Sequence, residues 1–164
     1  MRGRTSSGPE SERAASGPIR TLAGSCLCGG VTYRCEAPLV AVARCHCVEC
    51  RKQSGAEHAT NGEPRRGSFW LETGGELLRA FESSPGQLRV FCGRCGSPIM
   101  KRYANDPDRV RLRLGLLDDD LEEEPEIQVF ASEKMGLTRI DTTIPTFERG
   151  FDSPRYSPPS AGTP

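Results

Sequence analysis

The chain has 164 residues, enough for one domain of ordinary size, and its 22 Lys and Arg balance 22 Asp and Glu. Zero net charge argues against a strongly basic nucleic-acid binder, and no apolar run approaches the length of a membrane span. With 18 Gly and 13 Pro, short elements joined by many turns are expected.

Residues 1–21, with four Arg and seven Ser or Gly, read as a disordered leader. They hold no apolar signal-peptide stretch, which predicts a cytoplasmic protein. The folded core is expected over 22–151. Apolar and polar side chains alternate over 31–35, a strand on which Cys35 shares a face with Val31 and Tyr33 and reads as a small buried hydrophobe. A short helical turn is expected at 49–54, with Ser54 and Gly55 shaping the loop that follows. Residues 56–66 (AEHATNGEPRR) are polar. His58 and Asn61 there read as solvated loop residues, with a proton shuttle as the functional alternative. Short strands are expected at 68–71, 77–81 and 88–91, separated by Gly-Gly and Pro-Gly turns. Val110, Leu112, Leu114 and Leu116 alternate with Arg111, Arg113 and Gly115 as a half-buried strand, and Ile127, Val129 and Ala131 repeat the pattern. Between them, 118–124 holds six acids in seven residues and reads as a solvated loop. Residues 152–164, with four Pro, read as a disordered tail.

The eight cysteines carry the chemistry. Seven fall into C-x-C, C-H-C-x-x-C and C-x-x-C clusters, which in a reducing compartment favour a metal over disulfides. Cys92-Gly-Arg-Cys95-Gly96 looks like a zinc knuckle, and Cys26-Leu-Cys28 is likewise followed by glycines that allow a sharp turn. A structural zinc takes four ligands, so Cys26, Cys28, Cys92 and Cys95 together make one closed site. It would clip the first strand to a segment more than sixty residues later. Cys45, Cys47 and Cys50 are left, and three ligands with one open position are the usual mark of a catalytic zinc. The alternative is that His46 or another side chain closes the site. In an extended segment, however, a residue between two ligands points the opposite way. A three-thiolate zinc is suited to capturing and deprotonating a further thiol, which predicts a thiol co-substrate attacking an electrophile. Arg51 and Lys52 follow the third ligand directly. They are candidates for a carboxylate of that co-substrate, or for offsetting the charge of the site.

Three segments, Gly24-Ser-Cys26-Leu-Cys28-Gly-Gly-Val-Thr-Tyr33, Cys45-His-Cys-Val-Glu-Cys50-Arg-Lys-Gln-Ser-Gly55 and Phe91-Cys-Gly-Arg-Cys95-Gly-Ser-Pro98, resemble the glutathione-dependent formaldehyde-activating enzyme family. That family also includes proteins similar to centromere protein V. The resemblance runs from about residue 22 to 151. It implies a mainly β, zinc-containing β-tent fold with short helical turns, and two zinc ions per chain divided as above. It also implies carbon–sulfur lyase activity, in which glutathione and formaldehyde give S-hydroxymethylglutathione. The implied partners are a small-molecule thiol and aldehyde, without nucleic acid or membrane. Gln128 stands where the family commonly has His, and Leu137 where Trp is common, so recognition would differ if either lined the pocket. Two further readings stand beside the enzyme: a binding or scaffold module with both zincs structural, and a thiol redox or metal-buffering protein.

Overall fold

Short alternating segments can bury one face only by pairing into sheets. Two sheets form in the computed structural model, where residues 17–158 are described. Three strands, β1 (Arg20–Ser25), β2 (Thr32–Ala37) and β5 (Phe69–Thr73), make a small antiparallel sheet in the order β1-β2-β5. The larger sheet comprises β3 (Ala41–Cys45), β4 (Ala59–Glu63), β6 (Leu78–Ser84), β7 (Gln87–Cys92), β8 (Pro98–Tyr103), β9 (Asp106–Arg113) and β10 (Ile127–Val129). Its order is β10-β3-β4-β9-β8-β7-β6, antiparallel throughout except between β10 and β3. Helix α1 (Val48–Ser54) begins at Cys47 and ends at Gly55, whose φ of 63° supplies the left-handed turn. The mainly β expectation matches this architecture. Among the described residues no helix is long and apolar enough to cross a membrane.

One core joins the two sheets. Leu22, Tyr33 and Cys35 from the small sheet pack with Val90, Ile99 and Leu112 from the large one. Cys35 is fully buried, as expected, and burial pushes its thiol up to about 11. Gly24 lies against the Tyr33 ring, and a Cβ there would stand 2.3 Å from it. Only glycine lets β1 pass so close.

The structure departs from sequence expectation at several places. Within the stretch read as a polar loop, β4 runs through the middle of the large sheet between β3 and β9. Its faces are covered by other residues' side chains: Leu39 and Leu114 both close on Gly62, which has none of its own. That contact also explains why β9 stops at Arg113. Leu114–Leu116 instead form a single 3-10 turn, which drops Leu114 onto Gly62. Similarly β10 ends at Val129, because Phe130 adopts φ 59° and turns the chain into a 3-10 turn at Ala131–Glu133.

The acidic run is the exposed loop expected of it, with only Glu123 of its six acids partly buried, and some of its carboxylates also make specific contacts. Asp118 accepts from Ser25 Oγ at 2.9 Å and Asp119 from the Ala23 backbone N–H at 2.7 Å. Glu123 accepts from the Leu39 N–H at 2.9 Å and pairs with Arg20 at 3.3 Å. The acids therefore fasten β1, an edge strand with unpaired backbone donors, to the rest of the molecule. Parts of the expected leader (1–16) and tail (159–164) lie outside the described residues. Residues 152–158 turn back on the domain, with the Tyr156 N–H donating to Thr146 O at 2.9 Å and the Glu148 N–H to Pro154 O at 3.0 Å.

Candidate metal centres

Two turns bring the first four thiols together. Cys26 follows β1 directly and opens a turn closed by Gly29 N–H to Cys26 O (2.8 Å) and Cys26 N–H to Val31 O (3.0 Å). Cys92 ends β7, and the turn after it is closed by Gly96 N–H to Cys92 O at 2.8 Å, with Gly96 at φ 79°. The sulfurs of Cys26, Cys28, Cys92 and Cys95 all lie within 4.8 Å of one another, with Cys26–Cys28 at 3.5 Å and Cys28–Cys92 at 3.9 Å. A tetrahedral zinc with Zn–S near 2.3 Å sets sulfur–sulfur separations of about 3.8 Å, so this donor set fits that ion.

The second cluster is built at a strand end and a helix start. Cys45 closes β3, Cys47 caps α1 and Cys50 lies in the first turn, where its N–H donates to Cys47 Sγ at 3.4 Å. Their three sulfurs also lie within 4.8 Å of one another, and no fourth His, Cys, Asp or Glu of the described residues joins them. Hydrogen bonding with Cys45 and Cys47, reinforced by the charges of Arg113 and Arg89, holds Cys50 far below the usual thiol range. The cluster is thus three soft donors with an open side.

That open side faces a cavity of about 520 Å³. The strands opposite carry an unusual row of cations. Arg89 on β7 pairs across with Lys101 on β8, and Lys101 with Arg111 on β9. Arg109 and Arg113 stand two residues to either side of Arg111 on the same strand, and all five line the cavity. Like charges directly opposite one another in a sheet destabilise it. Glu63 offsets part of this by pairing with Arg109 at 2.7 Å and Arg111 at 2.9 Å, and Glu49 pairs with Arg89 at 2.6 Å. Lys101 instead donates to the neutral Gln87 amide oxygen at 3.2 Å and lies 4.4 Å from the Tyr103 ring centre. Burial, then the charges of Arg111 and Arg89, push its amine down to about 8. Phe130, Gly150 and Phe151 close the cavity from the chain's later part.

Of the residues singled out by sequence, the structure brings together Cys45, Cys47, Cys50 and Asn61, all of which line the cavity. Arg51 and Lys52 do not line it: they lie on α1, and Arg51 Nε donates to His46 O at 3.2 Å. His46 is buried outside the metal cluster, with Nε2 hydrogen-bonded to Gln128 Oε1 at 3.2 Å. Gln128 Nε2 in turn donates to Asp141 O at 2.7 Å and Thr146 Oγ1 at 2.9 Å. Gln128 is therefore a strut behind the cluster, and Leu137 is exposed, so neither forms the cavity wall. The His58 ring lies tilted against His46 with ring centres 5.3 Å apart, and Ser54 Oγ donates to Cys50 O at 2.7 Å. Sequence reasoning missed the cationic wall. The spacing of Arg109, Arg111 and Arg113 at every second residue does place them on one face, but it matches an ordinary solvated face equally well.

A sequence model of the glutathione-dependent formaldehyde-activating enzyme family matches residues 21–133. A protein of Halomonas elongata named "Putative glutathione-dependent formaldehyde-activating enzyme" is 30% identical over 112 residues, 64% of this chain and 71% of that protein. A crystal structure of a Rhodobacter sphaeroides protein is similar with TM-score 0.52 at 21% identity, over 62% of this chain and 92% of the other. That last likeness concerns the fold.

Proposed function

Because the chain belongs to the glutathione-dependent formaldehyde-activating enzyme family, we propose that it joins a thiol of the glutathione kind to a small aldehyde such as formaldehyde. In this reading Cys26, Cys28, Cys92 and Cys95 hold a structural zinc, and Cys45, Cys47 and Cys50 hold a catalytic one. The observation that carries the reading is the contrast between the two clusters: one complete with four sulfurs, the other with three and open to a cavity. A zinc ion bound by three thiolates supplies an open position at which a further thiol gives up its proton.

The chain's own residues supply binding and orientation. Lys101 and Arg111, adjacent across β8 and β9, present positive charge to the carboxylates of a glutathione-like thiol. The row of like charges is retained against its own repulsion, which supports a role in anion binding. Phe130 and Phe151 give the cavity an apolar side that limits water around the reacting carbon. The reaction is an addition: the sulfur bonds to the carbonyl carbon, the C=O double bond becomes a C–O single bond, and the oxygen takes the thiol's proton. Nothing is oxidised or reduced. Such an enzyme is a carbon–sulfur lyase.

Zinc content and zinc-edge X-ray absorption, with and without glutathione, test this. Two zinc ions per chain, with mean sulfur coordination rising toward four on adding glutathione, are expected. Two ions with no response would overturn the thiol reading and leave a module whose zincs are structural.

A further inference from the structure

Cys50 differs from its two partner thiols in its neighbours. Arg89 Nη1 donates to Cys50 Sγ at 3.6 Å, and Arg113 Nη1 lies at 4.0 Å. Both arginines are buried, with 5% and 4% of their surface exposed, and both come from the large sheet rather than from the cysteine segment. Each is held from behind. Arg89 donates to Glu49 at 2.6 Å and to Ser83 Oγ at 2.9 Å, and Arg113 donates to the side-chain carbonyls of Asn61 and Gln53.

The charges matter as much as the geometry. A buried guanidinium is strongly disfavoured unless an anion accompanies it. Arg89 has Glu49, but the two amide partners of Arg113 are neutral, and its nearest described sulfur is Cys50. As a metal ligand Cys50 would be a thiolate, the anion that faces Arg113, while Glu49 pairs with Arg89. N–H donors on a thiolate draw charge away from sulfur, which weakens it both as a ligand and as a nucleophile. Three unshielded thiolates would satisfy an ion so fully that it would hold a further thiol poorly. They would also compete for the aldehyde themselves.

We propose that Arg89 and Arg113 are positioning residues that act through Cys50: by drawing charge from this one sulfur, they strengthen the site's hold on the incoming thiol and shield Cys50 from the aldehyde. The proposal rests on the reading of Cys45, Cys47 and Cys50 as a metal site.

The test uses the full chain loaded with cobalt(II), whose sulfur-to-metal charge-transfer bands report the electron density on each thiolate. Arg89→Met and Arg113→Met should keep two cobalt ions per chain while the three-cysteine bands move to longer wavelength. Bands of the four-cysteine site should stay in place as an internal reference, and Arg89→Lys should recover part of the shift. A second readout starts from the wild-type chain. Iodoacetamide should label Cys50 more slowly than Cys45, which is buried to a similar degree, and Arg89→Met should raise Cys50 labelling several-fold. Unmoved bands with two cobalt ions bound, or wild-type Cys50 labelled as fast as Cys45, would overturn the proposal. A single cobalt ion per wild-type chain, bound at the four-cysteine site, would overturn the underlying metal assignment and the proposal with it.

Discussion

At the scale of single residues, the seven clustered cysteines divide by what their loss would do. Cys92 is fully buried at the end of β7, within the core that joins the two sheets, and its sulfur faces Cys28 across the turns. Cys45 lies at the end of β3 in a smaller cluster with Ala59 and Val129. Cys92→Ser should therefore lower zinc content by one ion and destabilise the fold by roughly 3 kcal/mol or more, since metal binding and folding are coupled there. Cys45→Ser should also lose one ion and abolish thiol uptake, yet leave most of the melting temperature intact. Zinc analysis beside thermal melts of both variants checks this, and equal destabilisation would make the second zinc structural. The cysteine partition itself was legible in the sequence, because ligand spacing is local. The Gln128 position was not: whether a side chain lines a cavity or braces it from behind depends on β10 meeting β3.

At the scale of elements, the row Arg89–Lys101–Arg111 across three strands is a place where function and stability oppose each other. Lys101→Met should relieve like-charge repulsion and raise stability, by about 0.5–1 kcal/mol at neutral pH, while weakening glutathione binding. The pH dependence has a definite sign. Burial and the neighbouring arginines lower the folded-state amine to about 8, while the unfolded chain titrates near the ordinary lysine value. Between those two values the unfolded state binds more protons, so wild-type stability gains on Lys101→Met as pH rises from about 8 toward 10.5. Below pH 8 the penalty is present in full. Denaturant unfolding of both proteins across that range measures it, and parallel pH curves would show that Lys101 is not held in this strained position.

At the scale of the whole molecule, the four-cysteine site stands where β1 meets the turn after β7, so it ties the small sheet to the large one. The acidic run does the same work from the other side by fastening β1 through Ala23, Ser25 and Arg20. Removing metal with a chelator should therefore lower the melting temperature by on the order of 10 °C or more and loosen β1 and β2 first. Hydrogen exchange on apo and zinc-loaded protein would locate the change; uniform loosening, or none, would count against the clip. The cavity, too, belongs to the whole chain. Its three cysteines lie within the family match, while Gly150 and Phe151 come from beyond residue 133.

The sequence alone determined the cysteine clusters, the number of sulfurs in each, the small helical turn and most of the strands, because each rests on spacing within a few residues. It also carried the family, whose motifs are the same local spacings. Which residues face one another was left to the three-dimensional packing. Strand β4 hid as a polar stretch because its neighbours' side chains cover it. The acidic run is solvated as its charge suggests, but its contacts with β1 were hidden because the donors it binds lie far away in the chain. Five cations converged on one cavity, and two of them on one sulfur, because antiparallel pairing sets β7, β8 and β9 side by side. Long-range register brings such charges together, and no local pattern of residues encodes it.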